Sequence, residues 1–582
     1  MTATTPTAID PIVLEVLWNR LLAVVNEQQV ALTRTAFSTV LRESQDLACG
    51  VFDGRGRMVA QSLTGTPGHI NAMATGVKHF LTVFPPESLV PGDVLITNDP
   101  WLTAGQVNDM TVVTPVFAND RVVAYFASTC HSPDVGGRIL SGEANEVYEE
   151  GLRLPIMKLF SAGEPNQQLI EIIRANVRTP EETIGDLYAQ MSSNAVGASS
   201  LLAFLAEFGM ADMEALSDAI VDRSERAMRD AIRALPNGTW TNESWSDGYD
   251  EPIVIRVTVT IRDEDIDIDF SGSSPQSPRG INVVLNYTHA YASFAVKAAI
   301  SPDVPHNHGA FLPVHVSAPE GSILNCQPPA AVAARHIIGH FLPGVIFGAL
   351  ADALPERIIA AGADPIWISV WSGRPEGAEP YTFSLFQCGG MGARPTKDGL
   401  SATGFPSGVG GVPAEVMESL TPLIQHRREL RTDSGGPGRQ RGGLGQWTEV
   451  SARHDGPWSV AAQVDRIDHP AQGLAGGKAG APGAYLLDRA TRPQAKARVS
   501  LPAGARIALD PPGGAGYGDP FERDPQRVLQ DVVNGYVSPE SAAQDYGVAI
   551  RYTGPADALV RLPEQYVIDA EETARLRGPA RG

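Results

Sequence analysis

The chain has 582 residues and a formal net charge of −21, with 43% hydrophobic and 19% charged residues. That balance excludes a disordered chain, and the acidity opposes non-specific binding to nucleic acid, whose phosphates repel it. At about 150 residues per domain the length predicts roughly three to four domains, and 58 glycines with 45 prolines predict many tight turns and long loops.

In chain order, residues 10–42 read as a helix. Asp10 is its N-cap, Pro11 its first position, and Ile12, Leu14, Val16, Leu17, Leu21 and Leu22 recur at near-helical spacing. Apolar runs on both sides of Asp53-Gly54 signal a hairpin. A second hairpin is clearer, with residues 110–117 and 121–129 flanking Asn119-Asp120. Paired positions in an antiparallel hairpin centred there sum to about 240, which sets Asp109 beside His131.

Residues 167–208 and 212–235 carry helical periodicity. PIVIRVTVTIR and IDIDF alternate as strands, a Tyr- and Ala-rich helix follows over 286–299, residues 302–326 read as strand and loop, and 328–354 as helix. The glycine-rich stretches 389–445 and 473–483 are interrupted by Arg, Asp and Glu at irregular spacing, which marks ordered loops rather than flexible linkers. A strand-rich last third ends in a helix over 524–534 and a polar tail, and there is no internal repeat. The expected fold is mixed α/β (α+β) and multi-lobed, with substantial antiparallel sheet. Its regions are 1–235, 236–400 and 401–582.

Cys49, Cys130, Cys326 and Cys388 are widely spaced with no CxxC pair, as expected for free thiols in a reducing cytoplasm. The first residues lack a basic segment followed by an apolar one, and no run reaches about 18 apolar residues. A cytoplasmic chain without a membrane span is expected.

The densest polar set lies between Asp46 and Glu150 and includes His69, Asn98, Asp99, Asn108, Asp109, His131 and Asp134. A carboxylate and an imidazole at a strand end, with Asp134 three residues on, suit a divalent metal that makes hydroxide available near neutrality. The competing reading is an Asp–His hydrogen bond that only closes the hairpin. The loop at 434–445 either cradles an anion through its N–H groups or packs tightly. No GxSxG occurs, so no nucleophile elbow is expected. Cys130 neighbours His131 in a strand and points to the opposite face, which disfavours a thiolate–imidazole pair. His336 and His340 stand four apart without HExxH and read as ordinary, partly buried histidines. Arg174, Asn176, Arg178 and Asp186 form a polar set that lines a path or a subunit contact, or is a solvated helix face.

Ten segments in order carry a resemblance: RESQDLACGVFD, TNDPW, NDMTVVTPVF, HSPDVGG, EEGLRLP, NVRTPEETIGDLYAQ, APEGSILN, RELRTDSGGPGRQRGGLG, PPGGAGYGDP and DVVNGYVS. Over nearly its whole length the chain resembles the hydantoinase B/oxoprolinase family, the metal-bearing partner of ATP-dependent cyclic amidases and acetone-type carboxylases. The resemblance implies a divalent ion (Mn, Zn, Fe or Mg) held by an aspartate, a His-x-x-Asp pair and a later histidine. These positions fall on Asp46, Gln106 with Asp109, and His131. Gln106 departs from the pattern. A neutral amide oxygen is a weaker ligand than imidazole, which shifts the site toward harder ions or costs affinity, with Asp134 or His69 as compensating groups. The implied roles are His131 and Asp134 in catalysis, Asp134 as base or as support for His131, and His69, Asn98, Asp99, Arg174 and Arg178 along the substrate path. ATP is expected on a separate hydantoinase A-like ATPase subunit, in a hetero-oligomer that acts on a small cyclic amide or carbonyl compound. The alternatives are a carboxylase subunit and a non-catalytic paralogue marked by Gln106.

Overall fold

The computed structural model describes residues 9–578. Seven antiparallel strands form the first sheet. Their spatial order is Met58–Gln61, Leu47–Asp53, Arg121–His131, Asp109–Ala118, Val94–Thr97, Met157–Ser161, Glu164–Pro165. Strand residues alternate between its faces. Leu47, Cys49, Val51, Phe126 and Cys130 pack under helices Pro11–Thr35 and Pro180–Glu207. Ala48, Phe52, Tyr125 and Ala127 pack under helix Pro67–Val83.

The helix N-terminus at Asp10 is as expected, its carboxylate accepting from Ile12 N and Val13 N at 2.9 and 3.3 Å. The helix ends earlier than its periodicity, at Thr35, because Ala36 turns extended, and Thr39–Arg42 forms a separate turn capped by Ser38. The periodicity over 167–208 likewise splits into Gln167–Asn176 and Pro180–Glu207, since a proline disfavours helix in the residue before it.

A second sheet joins Gly238–Ser246, Ile253–Arg262, Asp265–Asp269 and Val314–Ser317, the last two parallel. Ile253, Ile255, Val257, Val259 and Ile261 share its inner face and bury against helices Leu285–Ile300 and Phe341–Leu350. Helix Pro67–Val83 crosses Leu285–Ile300 closely at Gly68, where a Cβ would stand 2.3 Å from the Tyr287 ring. The helix expected over 328–354 begins only at His336; residues 328–335 form a loop that enters the site described below.

Two four-stranded antiparallel sheets then face each other. One holds Trp367–Gly373, Tyr381–Gln387, Trp458–Gln463 and Arg498–Leu501. The other holds Leu423–Leu430, Gln446–Ala452, Ala484–Leu487 and Ile507–Asp510. Trp367, Trp371 and Leu385 meet Val450, Tyr485 and Ile507 between them. This sandwich starts at Trp367, so the boundary expected at 400 runs through one of its sheets.

Apart from helix Ala414–Leu420 and strand Leu423–Leu430, which fall within 389–445, the glycine-rich stretches are ordered loops, as their composition predicts. They bond to one another outside the sheets, through Gly443 N to Met391 O (2.8 Å), Gly514 N to Gly443 O (2.9 Å) and Gly436 N to Gly514 O (2.8 Å). Side chains have no room there: a Cβ on Gly513 would meet Ser434 O at 1.7 Å, and one on Gly443 would meet Leu400 O at 2.0 Å. Only glycine allows backbones so close, as at the axis of collagen. Helices Pro525–Val533, Pro539–Tyr546 and Ala570–Arg577, with a two-stranded ribbon, close the chain. No helix among the described residues is long and apolar enough to cross a membrane.

Candidate functional site

Three neighbouring strand ends bring the first side chains together. Asn119 and Asp120 both adopt left-handed backbone (φ 49° and 61°), the conformation of a tight hairpin turn. The register pairs Asp109 with His131, with one bulge between Val116 and Phe117. Leu47 pairs with Cys130, and His131 N donates to Asp46 O at 3.1 Å. Asp46, Asp109 and His131 therefore share one end of the sheet. His131 Nδ1 lies 3.1 Å from Asp109 Oδ1 and 4.0 Å from Asp46 Oδ2.

Helix Pro67–Val83 adds His69 in its first turn, with Nε2 3.3 Å from Asp109 Oδ2 and Nδ1 3.6 Å from Asp46 Oδ1. Thr66, just before that helix, donates its hydroxyl to Asp46 Oδ1 at 3.0 Å. Arg335 enters from the loop preceding His336. Its guanidinium donates to Asp109 Oδ2, to Gln106 Oε1 at 3.0 Å and to Ala104 O at 2.7 Å. It also lies 4.1 Å over the Tyr287 ring. Gln106 Nε2 donates to Ala333 O, so both ends of that amide are engaged.

The cluster is buried. Asp109 is 0% exposed and Arg335 4%. Burial opposes the ionisation of Asp109, but Arg335 and His69 outweigh it and hold the carboxyl far below the usual carboxylate range. Burial likewise opposes a charged His69, yet Asp109 and Asp46 raise its pKa above the ordinary value. His340 goes the other way: burial, with Arg335 and His69, lowers it to about 3. Burial, His340 and Arg335 also push His336 well below its ordinary value. Neither ring nitrogen of His336 has a hydrogen-bond partner, nor does His69 Nδ1.

These groups face a cavity of about 20 Å³. Asp46, His69, His131 and His336 form its polar wall, and Ile366, Ile368, Phe386 and Val409 its apolar one. That volume holds about one water molecule.

A divalent ion does not fit this donor set as it stands. Gln106 and Asp109, two of the four ligands the resemblance implies, already accept hydrogen bonds from a permanent cation, Arg335. Among the described residues, no three His, Cys, Asp or Glu side chains are grouped to hold an ion.

The other sequence candidates lie in separate arrangements. Asp134 is buried but does not bond His131: its carboxylate takes Arg178 Nη1 at 2.6 Å and Gly136 N at 3.3 Å. Asn98 braces a loop, donating to Val107 O and Leu152 O (2.7 and 2.9 Å) and accepting from Leu154 N. Asp99 accepts from Trp101 N at 3.0 Å. Arg174 pairs with exposed Glu181, and Asp186 accepts from Phe37 N and Ser38 N. Loop 434–445 packs against other glycine segments, with no space left for an anion at Gly436, where a Cβ would stand 2.5 Å from Lys478 O. His336 and His340 are more buried than the partial burial expected, each 2% exposed, and both line the cavity. Sequence reading missed Arg335, Thr66 and Tyr287. The unexplained glutamine at 106 was the one signal pointing to a changed partner.

Comparison with known proteins gives one consistent grouping. The family described as hydantoinase B/oxoprolinase matches residues 10–520. The B component of a putative D-/L-hydantoinase from Pseudomonas sp. (strain NS671) is 31% identical over 570 residues, spanning 93% of this chain and 95% of that protein. The crystal structure of the ATP-dependent caprolactamase from Pseudomonas jessenii superposes with TM-score 0.87 at 26% identity, over 98% of this chain and 100% of the other. An acetone carboxylase in a nucleotide-free structure shares the fold, with TM-score 0.85 at 19% identity over 98% of this chain and 82% of that one.

Proposed function

The chain belongs to the hydantoinase B/oxoprolinase family, and from that premise we propose that it is the ring-opening subunit of an ATP-dependent cyclic amide hydrolase. A hydantoinase A-like ATPase subunit is its partner. The observation that carries this reading is the buried Asp109–His131 pair on a cavity the size of one water.

Amide carbonyls are poor electrophiles. In this reading the partner phosphorylates the carbonyl oxygen, and this subunit supplies the water that attacks the activated carbon. Asp109 engages Nδ1 of His131, which fixes the ring and leaves Nε2 to take the proton of that water. Arg335, permanently charged, sets positive charge beside the phosphoryl group that the carbonyl oxygen then carries. The ring C–N bond breaks as nitrogen gains a proton, and hydrolysis of the acyl phosphate yields carboxylate and phosphate. The cavity as it stands holds the nucleophile but not a ring, so its lining must rearrange when substrate binds.

The test is co-expression with the ATPase subunit, followed by incubation with hydantoins, lactams and 5-oxoproline. Ring-opened product and phosphate are expected only with ATP. Absence of product from every ring, or product that requires bicarbonate, overturns the reading; a bicarbonate requirement points to carboxylation instead.

A further inference from the structure

Residue 106 and residue 335 are matched. The Gln106 amide presents its oxygen to Arg335 Nη1 at 3.0 Å and its nitrogen to Ala333 O, on the loop that carries Arg335. An imidazole at 106 has no such pair of donor and acceptor on one planar end. The same guanidinium bonds Asp109 and Ala104 O and stacks on Tyr287. Its hydrogen bonds thus go to two of the four residues the family resemblance assigns to a metal. Gln106 is 1% exposed and Asp109 0%, so water screens little here. A divalent ion added beside Arg335 would set three positive charges against the carboxylates of Asp46 and Asp109, in a space where Coulomb repulsion is strong.

We propose that in this chain the guanidinium of Arg335, clamped by Gln106, takes the place of the divalent ion, so that the site works without a metal. Arg335 then does two things an ion does: it holds Asp109 in position, and it provides fixed positive charge at the cavity. It does not lower the pKa of a bound water as an ion would, which leaves proton removal to His131. This deepens the proposed function and rests on the cavity being the ring-opening site. Its test reads bound metal rather than turnover, so the two can fail separately.

The experiment is elemental analysis for Mn, Zn and Fe on the natural complex with its ATPase subunit, made in metal-supplemented cells without chelators, the ATPase subunit alone serving as blank. Little or no ion in the natural chain is expected, and close to one per chain in Gln106→His/Arg335→Met, which restores the imidazole and removes the competing cation. Close to one tightly bound ion in the natural chain, lost in Asp109→Asn, overturns the proposal. So does a folded double variant that stays empty. Should that variant not fold, the melting temperature of the natural complex decides. No change with excess Mn²⁺ or Zn²⁺ is expected, and a clear rise contradicts it.

Discussion

Two of the buried ionic clusters among the described residues, around Arg523 and around Arg335, are built differently. Around Arg523, arginines meet carboxylates and backbone. Its Nη1 and Nη2 bond both oxygens of Asp398 at 2.8 and 2.9 Å, Nη2 also bonds Asp531 at 2.7 Å, and Arg527 bonds Asp398 at 2.8 Å. That cluster ties the C-terminal helices to the glycine-rich layer. Around Arg335 the carboxylates are also met, but four imidazoles, His69, His131, His336 and His340, stand among them. Nitrogens of two, His69 and His336, lack partners, and the group faces a cavity. Buried charge alone therefore marks structure. Unpartnered atoms occur in both, since Arg523 Nε and Tyr546 Oη also lack partners; buried charge with imidazoles facing a cavity is what marks chemistry.

Substitutions at the two clusters should separate accordingly. Asp109→Asn removes the charge that orients His131 and pairs Arg335. Turnover with the ATPase subunit should fall by about 10²–10⁴-fold, measured as ring-opened product per folded complex. Arg523→Met should do the reverse. It leaves Asp398 and Asp531 short of a cation and costs about 3–5 kcal/mol of stability, seen in melting, while turnover of the folded fraction stays near normal. If Arg523→Met lost turnover as steeply as Asp109→Asn, the distinction between the clusters would collapse.

The loop carrying Arg335 adds a pH dependence. Glu150 accepts from Val332 N and Ala333 N at 2.6 and 2.7 Å. Burial raises its carboxyl from 4.5 to about 8, against the pull of those N–H groups. Asp364 moves the same way, raised by burial from 3.8 to about 7 although Arg466 opposes it. A folded pKa above the unfolded one gives stability that is complete below the unfolded value and lost as pH climbs to the folded one. The melting temperature should thus decline between about pH 4.5 and pH 8, and Glu150→Gln should flatten part of that slope. An unchanged slope would place Glu150 ionised in the fold.

Smaller effects test the edges of the site. His336→Asn should lower turnover by about tenfold, the scale of one hydrogen bond, with a melting cost of about 1–3 kcal/mol because the smaller amide is buried without partners. Asp134→Asn should cost at most about 1 kcal/mol, because its partner Arg178 is 40% exposed, and should leave turnover near that of the natural chain. A collapse of turnover in Asp134→Asn would restore it to the catalytic role the sequence suggested.

What was legible in sequence depended on distance along the chain. Asn119-Asp120 announced the turn, and the pairing sum placed Asp109 beside His131, holding from that end to the bulge at Val116. Asp134 lies only three residues past His131, yet Gly136 and Gly137, at φ 79° and 58°, turn that segment toward Arg178. Arg335 is 226 residues from Asp109. Nothing local marks a loop arginine as buried, and only packing of the helix at Leu285–Ile300 against that at Pro67–Val83 brings its neighbours together. The glycine runs were readable as ordered, but their close backbone approach was not, because it joins four separate stretches.

The most direct test of the ring-opening account is one comparison: ATP-dependent product formation by the natural chain and by Asp109→Asn, each assembled with the ATPase subunit. The account predicts a ring-opened acid with matching phosphate from the natural complex and almost none from the variant. Equal product from both would contradict it and move the chemistry away from the cavity.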